Sequence, residues 1–267
     1  MFKVASYVLV TTIVLVFLMP FFYTVSPYTL NPNEILQAPS LQHLFGTDRL
    51  GRDVLARVLQ GGQTSLIIGF LAASISSLLG LFIGINAGYF KGNIDKGITI
   101  LIDLFLTFPT FFLLLALVSY IQASSVILII VISITGWMGM ARLIRSESFA
   151  IGNKPFIKIL KLANVSKTKI IFKYFAPLLA PIFLISFTFG VGGAILAESG
   201  LSFLGLGINP PQMSWGSLLS SGQTLLDIAW WVSFFPGLMI FIITFCLMQI
   251  SDFLQEKANQ KEIQQSS

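Results

Sequence analysis

RLIRSESFAIGNKPFIKILKLANVSKTKIIFK, residues 142–173, is a basic island in a mostly apolar chain. It carries eight cations, Arg142, Arg145, Lys154, Lys158, Lys161, Lys167, Lys169 and Lys173, against one acid, Glu147. Long uncharged apolar runs flank it on both sides. In a chain that crosses a membrane such an island has to lie in water, and Lys and Arg favour the cytoplasmic face. Its 32 residues are also enough to fold into short helices.

The composition agrees with a membrane protein. Hydrophobic residues make up 55% of the chain and charged residues 10%, against about 25% charged in a soluble domain. Mean hydropathy is +0.87. The one cysteine, Cys246, lies in an apolar run and excludes an internal disulfide or a cysteine–zinc cluster. The net charge of +5 reads as the positive-inside bias of a membrane protein and does not call for a nucleic-acid partner.

Outward from the island, the chain reads as one all-α, polytopic domain over residues 1–267 with about six spans. Their expected bounds are 4–25, 63–88, 97–120, 126–142, 176–197 and 228–250. The first is read as a retained span, because no small-residue cleavage site follows it. Between Asp103 and Arg142 lie 38 uncharged residues. As one helix they would run about 57 Å, against a hydrocarbon core of about 30 Å, so two antiparallel passes are expected. With the N-terminus inside, Lys3, Lys91, Lys96, the island, Lys257 and Lys261 fall on the inner side, and only Arg49, Arg52 and Arg57 fall outside. Both termini and loop 143–175 are therefore expected in the cytoplasm, with segments 26–60, 121–125 and 199–227 facing out.

Inside the island, Gly152-Asn153-Lys154-Pro155 is a turn signal and Pro155 suits the first turn of a helix. Phe156 to Ala163 reads as a short amphipathic helix, with Asn164 to end it and Ser166 to cap the next. Such a knob rests on anionic lipid or docks into another protein. In the first outer segment, Asp48 to Arg52, Arg49 to Asp53 and Asp53 to Arg57 are i, i+4 pairs, predicting a short charged helix that Gly61-Gly62 would end. Gly80, Gly84 and Gly88 recur every four residues, the spacing that lets a second helix come close, within this bundle or in a partner. Asp103 and Glu198 are acids inside expected spans, read as a proton relay or as hydrogen-bonded structural groups. His43, the only histidine, has no ligand pattern around it. Leu59-Gln60-Gly61-Gly62-Gln63 mimics an ATPase signature, but no Gly-Lys-Ser/Thr phosphate loop accompanies it.

The chain resembles the permease subunits of the dipeptide, oligopeptide and nickel ABC importers, and specifically the second permease of the pair. The resemblance is carried by HLFGTDRLGRDVL (43–55), AGYFKG (87–92), Gly136-Trp137, ARLIR (141–145), IIFKYFAP (170–177), GGAILAESGLSFLGLG (192–207), Pro210-Pro211 and Ser214-Trp215-Gly216. It implies the type I ABC importer fold in a bacterial cytoplasmic membrane, and peptides, nickel or a metal chelate as cargo. It implies a homologous second permease, two ATPase subunits that carry ATP and Mg2+, and an extracytoplasmic binding protein. No catalytic residue, metal site or cofactor is implied for this chain. Loop 143–175 corresponds to the coupling loop, with Phe156, Ile157, Lys158, Ile159, Leu160, Lys161, Ala163, Asn164 and Ser166 in it, and Gly46, Thr47, Asp48, Gly51, Arg52 and Asp53 form the outer motif. The chain departs from the family where Glu-Ala-Ala is usual, with Lys158-Ile159-Leu160, and where Gly is usual, with Asn164. A proton-coupled secondary transporter is the alternative from another class.

Overall fold

The computed structural model describes residues 1–121 and 124–266, with side chains through Gln260. Gln122 and Ala123 of the expected outer break, and the Lys261 side chain, lie outside the described residues. Apart from one isolated bridge between Thr47 and Asp53, the described backbone is helical or loop. Five helices are long and apolar enough to cross a membrane, or six when a bent pair is taken as one span.

Helix α1 (Phe2–Phe22) leads into a long loop, and α2 (Val54–Phe90) then runs 37 residues without interruption. Asp53 caps α2, its Oδ1 accepting from Ala56 N at 2.8 Å. The expected charged helix before the second span therefore does not exist. Residues 46–53 fold as a turn, and Gly61-Gly62 lie within α2 where they were expected to end a helix. Gly46 and Gly51 take positive φ there, and a Cβ on Gly51 would sit 1.8 Å from the Asn31 carbonyl oxygen. No helix passes through such a turn, so the i, i+4 spacing misled.

The third pass is also not straight. Helices α3 (Gly92–Thr107) and α4 (Thr110–Ser119) meet at 82°. Pro109 disfavours helical backbone at Phe108, which is extended. Helix α5 (Ser125–Gly152) carries the fourth span on through Arg142 and Arg145. The island then forms α6 (Pro155–Leu162) and α7 (Lys167–Ile170), which passes through a π turn (Ile171–Phe175) into α8 (Ala176–Phe203). Pro177 explains that turn: it has no N–H for the Lys173 carbonyl and its ring crowds it, while Ala176 N–H bonds back to Ile171 O. A short α9 (Trp215–Gly222) and the final α10 (Trp231–Ser266) complete the chain.

The bundle is built on α2 against α5. On α2 a Cβ at Gly80 would stand 2.6 Å from Met140 Cβ, one at Gly84 2.7 Å from Ala141 O, and one at Gly88 2.5 Å from Ser148 Cβ. The small-residue stripe thus serves packing inside this chain, backbone against backbone, where lipid offers no hydrophobic drive for association. Helix α8 crosses both, α10 packs on α8, and α1 lies along α10. Phe2 stacks on Phe253 with ring centroids 3.9 Å apart, so both termini share one end of the bundle with the basic island. The opposite end, called the loop end here, gathers residues 23–53 and 204–230.

A valine at Gly84 drives its side chain into the Ala141 carbonyl and Ile144. Overpacking of this kind costs about 1–3 kcal/mol. Thermal unfolding of purified Gly84→Val in detergent is expected several degrees below wild type. Gly97→Ala, where a Cβ meets nothing within 4 Å, is expected to unfold at or above the wild-type temperature.

Candidate functional site

The basic end is a ridge held on a buried peg. Ile157 is fully buried and packs with Ile85, Tyr89, Met140, Ile144, Ile151, Ile170, Phe175 and Leu179. Leu160 and Val165 border the same cluster. Around this peg Phe156, Lys158, Ile159, Lys161, Leu162 and Ala163 are exposed, Ile159 at 64% and Leu162 at 83%. The ridge therefore offers water three large apolar side chains among cations.

The end of α6 is closed by backbone geometry. Asn164 takes φ +54°, its N–H bonds to Lys161 O at 3.1 Å, and Val165 N–H bonds to Leu160 O at 3.1 Å. This is a Schellman closure, with Val165 and Leu160 packed against the same apolar cluster. Asn is one of the few side chains that take this conformation cheaply. Ser166 stands at the cap position of α7 but makes no capping bond with its side chain.

Three links tie the ridge to α2. Lys161 Nζ lies 4.5 Å above the Tyr89 ring, which meets Phe175 edge-on at 5.5 Å. Lys91 Nζ donates to Asn153 Oδ1 at 2.7 Å and lies 4.1 Å over Phe149. Lys167 Nζ lies 5.2 Å over Phe90. Helix α3 is braced on α5 by Arg145, which donates through both its Nε and a terminal nitrogen (2.9 Å) to Asp95. Arg142 similarly donates to Asp103. Asp103, read as an acid inside the membrane, thus stands opposite a cation of the island with its side chain 55% exposed. Tyr89, Leu162 and Asp95 also belong to this surface; the sequence placed them in a motif, a helix and a polar turn without a site role. A tyrosine at the end of an apolar run, two residues before Lys91, was the available signal for the first.

Residues 76–261 match the model of the family described as binding-protein-dependent transport system inner membrane component. The chain belongs to this family. Its relatives include the oligopeptide transport system permease protein OppC of Haemophilus influenzae, 32% identical over 262 residues, or 97% of this chain and 84% of that protein. The dipeptide transport system permease protein DppC of Alkalihalophilus pseudofirmus is 34% identical over 260 residues, covering 97% and 85%. OppC of Mycobacterium tuberculosis is 35% identical over 235 residues, covering 86% and 81%. The inward-facing MetNI methionine ABC transporter shares the fold, with a TM-score of 0.59 at 13% identity over 75% of this chain and 97% of that one. The chain is thus an ABC importer permease with the type I fold.

At the loop end of the permease, two buried acids organise the outer motif. Asp53 accepts from Tyr23 Oη at 2.9 Å and lies 2.8 Å from His43 Nδ1, while His43 Nε2 lies 3.2 Å from Glu34. His43 therefore has acidic neighbours that its sequence context did not reveal. Asp48 accepts from the backbone of Leu50 and Arg52, from Arg52 Nε at 2.7 Å, and stands 3.5 Å from Arg57 Nε. Of the three expected charge pairs only Asp48–Arg52 forms, across the turn. Trp231 locks the motif to α10 by donating to Thr47 O at 3.0 Å.

Glu198 is fully buried and ties the segment that follows α8 to the bundle. It accepts from Ser65 on α2 at 3.0 Å and from Ser202 at 2.7 Å. Those hydroxyls in turn accept from Trp215 N and Ile208 N. Glu198 and Asp103 lie toward opposite ends of the bundle, and the bonded partners of Glu198 are hydroxyls, not titratable groups. Nothing in this arrangement favours a proton-coupled secondary transporter.

A carboxylate only accepts, so His43 satisfies both acids together only as the imidazolium, with both ring nitrogens donating. The bond to Asp53, with its charge and that of Glu34, raises the His43 pKa above its ordinary 6.5, against a smaller lowering by burial. The tie is therefore fully present below the ordinary value and is lost as pH rises through the raised one. Hydrogen exchange in residues 34–53, corrected for intrinsic rates, is expected to be slower at pH 6 than at pH 8.5. His43→Gln is expected to remove that difference. Asn164→Val, which forces a β-branched residue to positive φ at a cost of about 1–2 kcal/mol, is expected to speed exchange at residues 160–170 and leave the loop end unchanged.

Proposed function

We propose that this permease is the second transmembrane subunit of a peptide-importing ABC transporter, with the α6 ridge as its contact to an ATPase subunit. The observation that carries the reading is the ridge itself: Phe156, Ile159 and Leu162 exposed on a helix whose opposite side is pegged into the core by Ile157. An apolar surface mixed with cations on a rigid support has the character of a docking knob and not of a free surface. The names of the relatives, oligopeptide and dipeptide permeases, support peptides as the cargo. They do not speak to nickel or metal chelates.

On this reading the basic end and both termini face the cytoplasm, and the loop end faces a binding protein. A second permease completes the translocation path, and ATP and Mg2+ sit on two partner ATPases. Motion of an ATPase enters through α6. It passes directly to α5 through the short 153–154 link, to α8 through α7 and the π turn, and to the end of α2 through Tyr89 and Lys91. The helices then tilt as rigid bodies to alternate access. The π turn is where the α7–α8 rod is least regular and so yields first.

Co-purification with the cognate ATPase subunits tests the reading. Wild type is expected to hold them through gel filtration. Ile159→Asp with Leu162→Asp removes two exposed anchors, each expected to contribute about 2 kcal/mol, and is expected to release the ATPases while the permease still runs as a folded peak. Transport that persists after deletion of residues 156–164 would sink the assignment.

A further inference from the structure

The loop end holds a cavity of about 750 Å³ between the outer motif and the 202–224 segment. Arg49, Arg52 and Arg57 all line it, together with Gln212, Ser217 and Thr224 among other groups. No Asp or Glu side chain lines it. Asp48 sits behind the wall, 4% exposed, and serves both Arg52 and Arg57. Arg57 is itself 8% exposed and spends one further N–H on Pro27 O at 3.1 Å. Arg49 is exposed and makes no ion pair among the described residues. Two of the three guanidinium groups thus share one carboxylate, and a net two positive charges remain on the cavity wall. The size lies in the range of small-molecule sites, about 300–1,000 Å³.

We propose that this cavity binds the C-terminal carboxylate of a peptide, with Arg49 as the guanidinium that meets it and with Arg52 and Arg57 as a fixed positive backing. A planar guanidinium matches a carboxylate with two parallel N–H bonds. The two backing arginines are already oriented by Asp48 and Pro27 O, so little order is lost on binding. Part of the cavity wall is the turn held by Asp53, His43 and Tyr23, so the charge sits on a rigid frame. The choice of a carboxylate among anions rests on the reading of the chain as a peptide-importer subunit.

The test uses the assembled importer in nanodiscs without its binding protein, with trialanine and trialanine amide as probes. Wild type is expected to bind the acid about tenfold or more tightly than the amide, the scale of one charge-assisted pair, and acetate is expected to compete. Arg49→Gln is expected to erase the difference, Arg49→Lys to restore part of it, and Lys257→Gln at the other end to change nothing. Equal binding of acid and amide, or a preference that survives Arg49→Gln, overturns the proposal. So does an Arg49→Gln effect seen only as weaker association of the binding protein, which would assign the acid to that protein. Failure of the peptide reading looks different. The wild-type importer with its binding protein then takes up no peptide, whereas a wrong cavity assignment leaves wild-type uptake intact and insensitive to Arg49→Gln.

Discussion

Close contact between α2 and α5 is the constraint on which the other elements depend. Hydrocarbon gives apolar helices no reason to separate from lipid, so association has to come from packing and polar bonds. Gly80, Gly84 and Gly88 bring the two backbones within the reach of direct contact. Once that pair is set, both ends of α2 are placed. Asp53 caps one end beside the turn of residues 46–53, and Tyr89 and Lys91 at the other meet Lys161 and Asn153 of the basic island. One helix of 37 residues, about 55 Å long, therefore carries a stiff link between the two functional ends.

The two ends are built on opposite principles. At the loop end the buried acids and indoles are satisfied inside the chain: Asp53, Asp48 and Glu198 accept several bonds each, and Trp215 and Trp231 donate their indole N–H groups to the backbone. Such networks specify one arrangement and resist deformation. At the basic end the ridge keeps apolar side chains exposed around the Ile157 peg, and its polar ties to α2 are mostly cations over aromatic rings. These are worth less individually at exposed sites. One end is thus fixed by internal polar bonds, and the other keeps an exposed apolar ridge on a buried support.

What was legible in the sequence followed from periodicity and charge counting over long segments. The apolar runs, the single basic island, the helix-turn-helix inside it and the left-handed ending at Asn164 were all readable. Three features escaped, each for a physical reason. The outer motif has helical charge spacing, yet Gly46 and Gly51 at positive φ make it a turn. Pro109 bends a pass that hydropathy treats as continuous. The neighbours of His43 come from Glu34 and Asp53, which only the folded loop brings together. Charge spacing reports what a helix would do if it formed, and it does not report whether glycine lets it form.

The two departures from the family pattern in α6 are not equivalent. Asn164 occupies the left-handed position that glycine usually fills and makes the same backbone closure. It leaves the exposed ridge of α6 unchanged in shape. Lys158 is exposed on the ridge, one residue from Ile159, in a segment that also presents Lys154 and Lys161. A cation there in place of an acid changes the sign of the local field at the surface a partner would meet. Desolvating an ammonium group without a counter-charge is costly, so a groove that receives α6 has to supply an acid opposite Lys158 or leave its head in water at the rim. The apolar anchors can stay in register in both cases. If α6 docks on an ATPase as proposed, that contact differs in charge from the usual family pattern, while the packing through Ile157, Tyr89 and the π turn is kept.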